Sequence, residues 1–192
     1  MPKIVEDEKI YRAVMQVVSE RGYAGATTRQ MAEAADVSEV TLFRKYKNKA
    51  QLVKQAISSI VNQTDFGSAT RYTGDIRADL LRVVRAYEES AVKHGIFFAA
   101  LFSEVARNPE LIDSLDEPLY IFRAIGELIV RYQAEGVLQR EHPAHAVAEL
   151  LGPLMYSALM QAAIPDTHMP PLDLSFHVAR FLQGRRIDEV QI

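Results

Sequence analysis

Apolar residues recur three and four positions apart along most of this sequence, and no stretch alternates apolar and polar residues with the period of two that a half-buried strand requires. Ile10, Ala13, Val14, Val17 and Val18 open the pattern. Glu6, Asp7 and Glu8 lie in the first turn, where the positive helix end favours acids, and Gly22 after Arg21 supplies a left-handed stop. Beyond a polar stretch from Asn62 to Gly74, the same spacing predicts helices over about 75–93, 96–107, 110–134, 143–163 and 172–184. His94-Gly95, Asn108-Pro109, Glu135-Gly136, His142-Pro143 and Pro170-Pro171 punctuate them as breakers. The expected fold is all-α with about nine helices: an N-terminal three-helix head with a connecting fourth helix over residues 1–63, and a larger helical body over 64–192.

The segment between the first long helix and residue 63 carries the densest set of local signals. Thr28 is suited to cap a short helix bearing Met31, Ala32 and Ala35 on one face. Asp36-Val37 makes a tight break, and Ser38 caps a second short helix that runs to about Tyr46. Asn48 with Gln51 fits a capping-box start for a helix carrying Leu52, Val53, Ala56, Ile57 and Ile60. Residues 27–49 therefore read as a helix-turn-helix, with small Ala32 at the helix crossing and Met31, Val37 and Leu42 packing the pair onto the first helix. The sharp turn falls on Asp36, which accepts a left-handed backbone less freely than Gly but better than most residues.

Charge supports a polyanionic partner for this half. The formal net charge is only -3, but residues 1–64 carry +3 and the remainder -6. Arg44, Lys45, Lys47, Lys49 and Lys54 fall within eleven positions with no acid among them. The outward face of the second short helix is Glu39, Val40, Thr41, Phe43, Arg44 and Lys45. Arg29 has the planar fork that takes guanine O6 and N7, while Thr28, Thr41, Lys45 and Lys49 suit phosphates. Val40 is placed to touch a thymine methyl. Glu39 has three open roles: accepting from cytosine N4, excluding wrong bases, or extending a cap.

Gly22-Tyr23, Ala26-Thr27-Thr28, Met31-Ala32, Val37-Ser38, Thr41-Leu42-Phe43 and Tyr46-Lys47-Asn48-Lys49, in this order, resemble the N-terminal domain of the TetR family over residues 7–60. Asp36 departs from the family's usual Gly, and Phe43 stands where Tyr is more usual, which removes a hydroxyl that could reach a phosphate. The resemblance implies a homodimer on double-stranded operator DNA, a helical body that binds a small-molecule effector, and release of DNA when it does. An activator, or an architectural DNA-binding factor without effector, are the alternatives.

For the body, the last two helices are expected to pair and to double into a four-helix bundle by two-fold symmetry. Gly152, Met155, Ala158, Ala162, Val178 and Phe181 are the candidate interface, with a kink expected at Gly152-Pro153. Leu151-Gly152-Pro153-Leu154-Met155-Tyr156 also resembles that region of some TetR-type bodies. Aromatic walls for a ligand pocket come from His94, Phe97, Phe98, Leu101, Phe102, Tyr120 and Phe122. Glu104, on the face of Phe97 and Leu101, either meets a ligand or pairs with Arg107 or Arg123. Absence of cysteine excludes disulfides, zinc-thiolate sites and thiol nucleophiles. His142 and His145 lack an acid to complete a metal site, and no nucleophile elbow, zinc-protease motif or phosphate loop is present. No metal, cofactor or catalysis is expected, and the acidic start with no membrane-length apolar run places the chain in the cytoplasm without a membrane partner.

Overall fold

The computed structural model describes residues 7–164 and 170–185, with the side chains of residues 162 and 163 left aside. Its elements are α1 (Asp7–Gly25), α2 (Thr28–Ala35), α3 (Glu39–Tyr46), α4 (Lys49–Gln63), α5 (Phe66–Ala69), α6 (Ile76–Phe102), a 3-10 helix (Pro109–Ser114), α7 (Asp116–Ala134), α8 (Pro143–Ala163) and α9 (Leu174–Gln183). Among the described residues the only β feature is an isolated bridge residue, Leu138, so the fold is all-α. None of the described helices is long and apolar enough to cross a membrane. The chain divides into two compact units: residues up to Gln63 with His94–Pro118, and Thr64–Lys93 with the residues from Leu119 on.

The first unit is organised on the stripe of α1. Ile10, Ala13, Val14, Val17 and Val18 are all buried, together with Met31, Ala32, Leu42, Leu52, Val53, Ala56 and Ile57. Gly22 does not end α1 outright. At φ 70°, ψ 167° it kinks the chain, which resumes helically to Gly25 and turns Tyr23 inward. The cap of α2 is Thr27, not Thr28: its hydroxyl accepts from the Gln30 amide at 3.2 Å, and the Gln30 side chain accepts from the Thr27 amide at 2.9 Å. Two adjacent threonines offered the same hydroxyl; the glutamine three residues after Thr27 selects it.

The second unit contains a buried carboxylate. Asp79 in the first turn of α6 is fully excluded from water. It accepts hydrogen bonds from the Thr73 amide (2.8 Å), the Thr73 hydroxyl, Arg82 Nη2 (2.8 Å) and the Tyr132 hydroxyl (2.6 Å). Burial pushes its pKa up, but these donors outweigh it and hold the carboxyl below its ordinary value. The same 70–75 turn is fastened to α7 by the Tyr72 hydroxyl donating to Glu135 at 2.6 Å and by Arg131 over the Tyr72 ring at 3.5 Å. On α8 and α9, His177 Nε2 lies 2.8 Å from the Leu150 carbonyl, and Arg185 pairs with Glu141 (2.5 Å) and Glu149.

Two expectations for the helix boundaries change. α6 runs unbroken through His94-Gly95. A helix-interior glycine costs only about 1 kcal/mol relative to alanine, which burial of Phe97 and Leu101 exceeds. The helix expected over 110–134 is instead a 3-10 helix followed by α7, and α8 continues helically through Pro153.

Asp79→Asn should lower the unfolding free energy by about 3 kcal/mol in urea, because one of the two buried oxygens that serve four donors is replaced by an amide nitrogen that cannot accept. With its folded pKa depressed, Asp79 stabilises the fold above its unfolded pKa of about 3.9, and that contribution disappears as pH falls through the folded value. Acid titration of Asp79→Asn should accordingly show a shallower loss of stability below pH ~4 than the parent chain.

Candidate nucleic-acid interface

The exposed side of α3 is set by the two residues that bound it. Asp36, at φ 56° and ψ 47°, is left-handed; its amide donates to the Glu33 carbonyl at 3.1 Å and the Val37 amide to the Ala32 carbonyl at 3.0 Å, closing α2 in the manner glycine usually closes a helix. The Asp36 carboxylate lies 3.5 Å from Lys9. At the other end, Lys47 has φ 65° and ψ -48°, and the Asn48 amide donates to the Tyr46 carbonyl at 2.7 Å across it, a strained γ-turn. Ser38 caps α3, accepting from the Thr41 amide at 3.1 Å, and Asn48 accepts from the Gln51 amide at 2.9 Å at the head of α4. These two caps stand where the sequence places them.

Leu42 and Tyr46 face inward, so Val40, Phe43, Arg44 and Lys45 face water; Val40 is 76 % exposed and Phe43 48 %. Thr41 is half-buried, its hydroxyl 2.8 Å from that of Ser38. Glu39 accepts from the Thr28 hydroxyl at 2.5 Å, so these two side chains tie the start of α2 to the start of α3. Arg29 Nε pairs with Glu33 at 2.9 Å in a solvated i, i+4 contact, weak enough to be exchanged for another acceptor.

The cations differ in freedom. Lys45 is held by Asp7, which also accepts from the Tyr46 hydroxyl at 3.2 Å. Lys49 is turned back onto Tyr23, donating to its carbonyl with the ammonium 4.0 Å from the ring centre; partial burial lowers its pKa, against the pull of Glu110 and Glu104. Arg44 and Lys47 are exposed and have no ion-pair partner among the described residues. Lys47 was counted in the basic run suited to phosphates but was given no contact of its own.

Elsewhere, a cavity of about 680 Å³ lies in the second unit between α7 and α8, with Tyr87 of α6 in its wall. Of the eight residues expected to form a pocket, this cavity takes Phe122, whose ring centre lies 6.2 Å from that of Tyr87. Phe97 and Leu101 belong to the core of the first unit, with Phe98 packed against it. Phe102 is 42 % exposed, Tyr120 is 69 % exposed, and His94 lies in the C-terminal half of α6. Glu104 accepts from Asn108 Nδ2 at 2.9 Å and forms no ion pair with Arg107 or Arg123 among the described residues. The divergence follows from the continuity of α6, which carries residues 94–102 into the first unit.

The interface expectation also changes. Val178 and Phe181 are buried within their own unit, so they cannot offer surface to a partner. Their periodicity marks a buried face without saying what buries it. Gly152 and Ala158 are half-buried and Met155 is exposed on α8, while the side chain of Ala162 falls outside the described residues. Among the described residues of α8 and α9, the large apolar groups left exposed are Met155, Tyr156, Leu159 and Phe176.

Residues 10–56 match the family model for bacterial regulatory proteins of the tetR family, and residues 71–170 match that for the tetracyclin repressor-like C-terminal domain, more than half the chain. The chain belongs to the TetR family. HTH-type transcriptional regulator YvkB of Bacillus subtilis is 30 % identical over 140 residues, covering 72 % of this chain and 73 % of that one. HTH-type regulator Mb1581 of Mycobacterium bovis is 26 % identical over 168 residues, 87 % of this chain and 80 % of its own. A TetR family transcription regulator from Marinobacter aquaeolei shares the fold with a TM-score of 0.71 at 12 % identity, over 94 % of this chain and 95 % of that one. TetR-family membership makes this chain a DNA-binding transcriptional regulator and not an enzyme.

Because Lys49 is committed to Tyr23 and Arg44 is not, their removal should separate. Lys49→Ala is expected to lose about 1 kcal/mol of folding stability through the cation–π contact, read by urea unfolding. Arg44→Ala should leave unfolding unchanged while weakening DNA binding and reducing its salt slope by about one.

Proposed function

We propose that the chain is a homodimeric repressor that reads double-stranded operator DNA with α3 and the start of α2 and releases it when a small molecule enters the second unit. Residues 1–63 would form the DNA-binding domain and 64–192 the dimerisation and effector domain, acting in the cytoplasm. The observation that carries the reading is the open face of α3. Val40, Phe43, Arg44 and Lys45 point to water from a helix whose other face is buried, in the basic half of an otherwise acidic chain.

The division of roles follows from side-chain commitment. Arg29 can exchange its solvated Glu33 contact for a guanine edge, and Val40 suits a thymine methyl. Thr28, bound to Glu39, holds α3 against α2, which makes Glu39 a positioning residue for the reading helix. Thr41, Phe43, Arg44, Lys45 and Lys49 stand for phosphate contacts, the last two after giving up Asp7 and Tyr23. Repression by release needs room for an effector. A cavity of about 680 Å³ exceeds the ~300 Å³ at which drug-sized sites begin, and favours an effector over an architectural role. Dimerisation is supported by the open apolar groups of α8 and α9.

Selection of bound fragments from a genomic library tests the reading. A near-palindromic site should emerge, with affinity falling steeply between 50 and 200 mM salt (roughly a thousandfold for six phosphate contacts). Arg29→Ala should cost roughly tenfold to a hundredfold on that site and relax one base preference. No enriched site, or binding indifferent to salt, rejects it. In a reporter assay a repressor lowers transcription from the selected site, and the opposite sign would mark an activator.

A further inference from the structure

We infer that Asp7, where α1 begins, competes with DNA for Lys45: its carboxylate, pinned by the Tyr46 hydroxyl, occupies the ammonium that a phosphate must take. The consequence is weaker DNA binding, most of all at low salt. The inference rests on α3 as the DNA-reading helix and goes beyond that reading, since it concerns an acid outside α3. Lys45 is the cation of α3 that an acid of another element neutralises. Arg44 beside it on α3 and Lys47 just past the helix end are exposed, with no ion-pair partner among the described residues.

The carboxylate is placed by a fixed donor. Tyr46 is buried at the end of α3, its ring edge-on to that of Tyr11 with 6.0 Å between their centres. That packing holds the hydroxyl in place, and it donates to Asp7 Oδ1 at 3.2 Å. The same oxygen accepts from Lys45 Nζ. One anionic oxygen thus receives an ammonium and a hydroxyl, two of the donor types that proteins offer to phosphate oxygens. The Asp7 and Lys45 side chains are each 44 % exposed, so the pair is open to water and to a competing anion.

An ion pair this exposed changes an equilibrium by about fivefold at most, because water and salt screen it. A phosphate that takes Lys45 must break the pair and then faces the freed carboxylate, so repulsion adds to the cost. Salt weakens the internal pair as it weakens the DNA contact. Releasing Lys45 is therefore hardest in dilute salt and easier as salt rises, which flattens the loss of affinity with salt. Were Asp7 only a tie between α1 and α3, its loss would loosen the reading helix and weaken DNA binding. Competition predicts the opposite sign.

The probe is a fluorescein-labelled duplex of mixed sequence, about 30 base pairs long, since phosphate contacts supply nearly all binding to such DNA. The full chain is titrated onto it and anisotropy is read from about 50 to about 300 mM salt. Asp7→Asn removes the charge but keeps an oxygen to accept from Tyr46. It should bind roughly threefold to tenfold tighter than the parent at the low-salt end, with a salt slope steeper by up to about one. At the high-salt end the gain should shrink to under about twofold. Tyr46→Phe keeps the ring and frees the carboxylate from its anchor, and should tighten binding by about twofold. Glu8→Gln removes an equal charge from the exposed neighbouring position and should change affinity by less than about twofold. Unchanged or weaker binding by Asp7→Asn, or weaker binding by Tyr46→Phe, overturns the inference while leaving α3 as the DNA-reading helix. An equal gain from Glu8→Gln also overturns it, because net charge alone then accounts for the effect. A parent chain that binds no duplex across the salt range removes the reading and the inference together. Should Asp7→Asn not fold, as urea unfolding would reveal, Tyr46→Phe decides alone: binding no tighter than the parent's refutes the inference.

Discussion

A single left-handed residue determines what α3 presents to solvent. Asp36 must bring the chain round sharply enough for Ala32 of α2 and Leu42 of α3 to bury in the same core. Only with Leu42 and Tyr46 inward do Val40, Phe43, Arg44 and Lys45 face out together. A non-glycine residue holds this backbone at some cost, of order 1 kcal/mol, and the carboxylate offsets part of it through Lys9. Lys47 also has a positive φ at the other end of α3, there in a γ-turn. The helix is thus clamped between two positive-φ residues, and its short length matters little because its ends are specified.

That clamp also orders the charges around α3. Asp7 at the start of α1 receives both Lys45 and the Tyr46 hydroxyl, so the last turn of α3 is tied to the first turn of α1. Lys49 is tied to the kinked end of the same helix through Tyr23, whose hydroxyl lies 3.5 Å from Glu110 of the 3-10 helix. Burial and Glu110 together push the Tyr23 pKa up to about 12, so the hydroxyl stays a neutral donor at any physiological pH. The kink at Gly22 is what makes this possible, since a straight helix would not return Tyr23 to the interior. The His94–Pro118 segment thereby contributes acids to the environment of a basic residue at the head of α4 in the same unit.

The head of the chain was legible in its sequence because its signals are local. Ser38 and Asn48 cap the helices they precede, and Met31, Ala32 and Leu42 fall on the buried side, since cap chemistry and helical period depend on neighbours a few residues away. The body was less so. His94-Gly95 is a sound local stop, yet packing of Phe97 and Leu101 in the first unit overrides it, and this moved Phe97, Phe98 and Leu101 of the eight expected pocket residues to that core. Val178 and Phe181 were rightly apolar and wrongly assigned, because periodicity reports burial and not its partner. The strained turn at Lys47 had no residue-type signal, since lysine is not a residue that favours positive φ.

The two units solve the problem of buried polarity differently, and the difference bears on which can change. In the second unit Asp79 is surrounded by Thr73, Arg82 and Tyr132, every one a donor, so the 70–75 turn, α6 and α7 are locked by an acceptor that has no alternative partner. In the first unit the charged groups around α3 are exposed or half-buried, and their contacts with Glu33, Asp7 and Tyr23 are of a kind that another polar partner can replace at little cost. For the reading proposed above, in which α3 meets a polyanion, exchangeable contacts are what is required, since the cations beside it must be able to leave their resting partners.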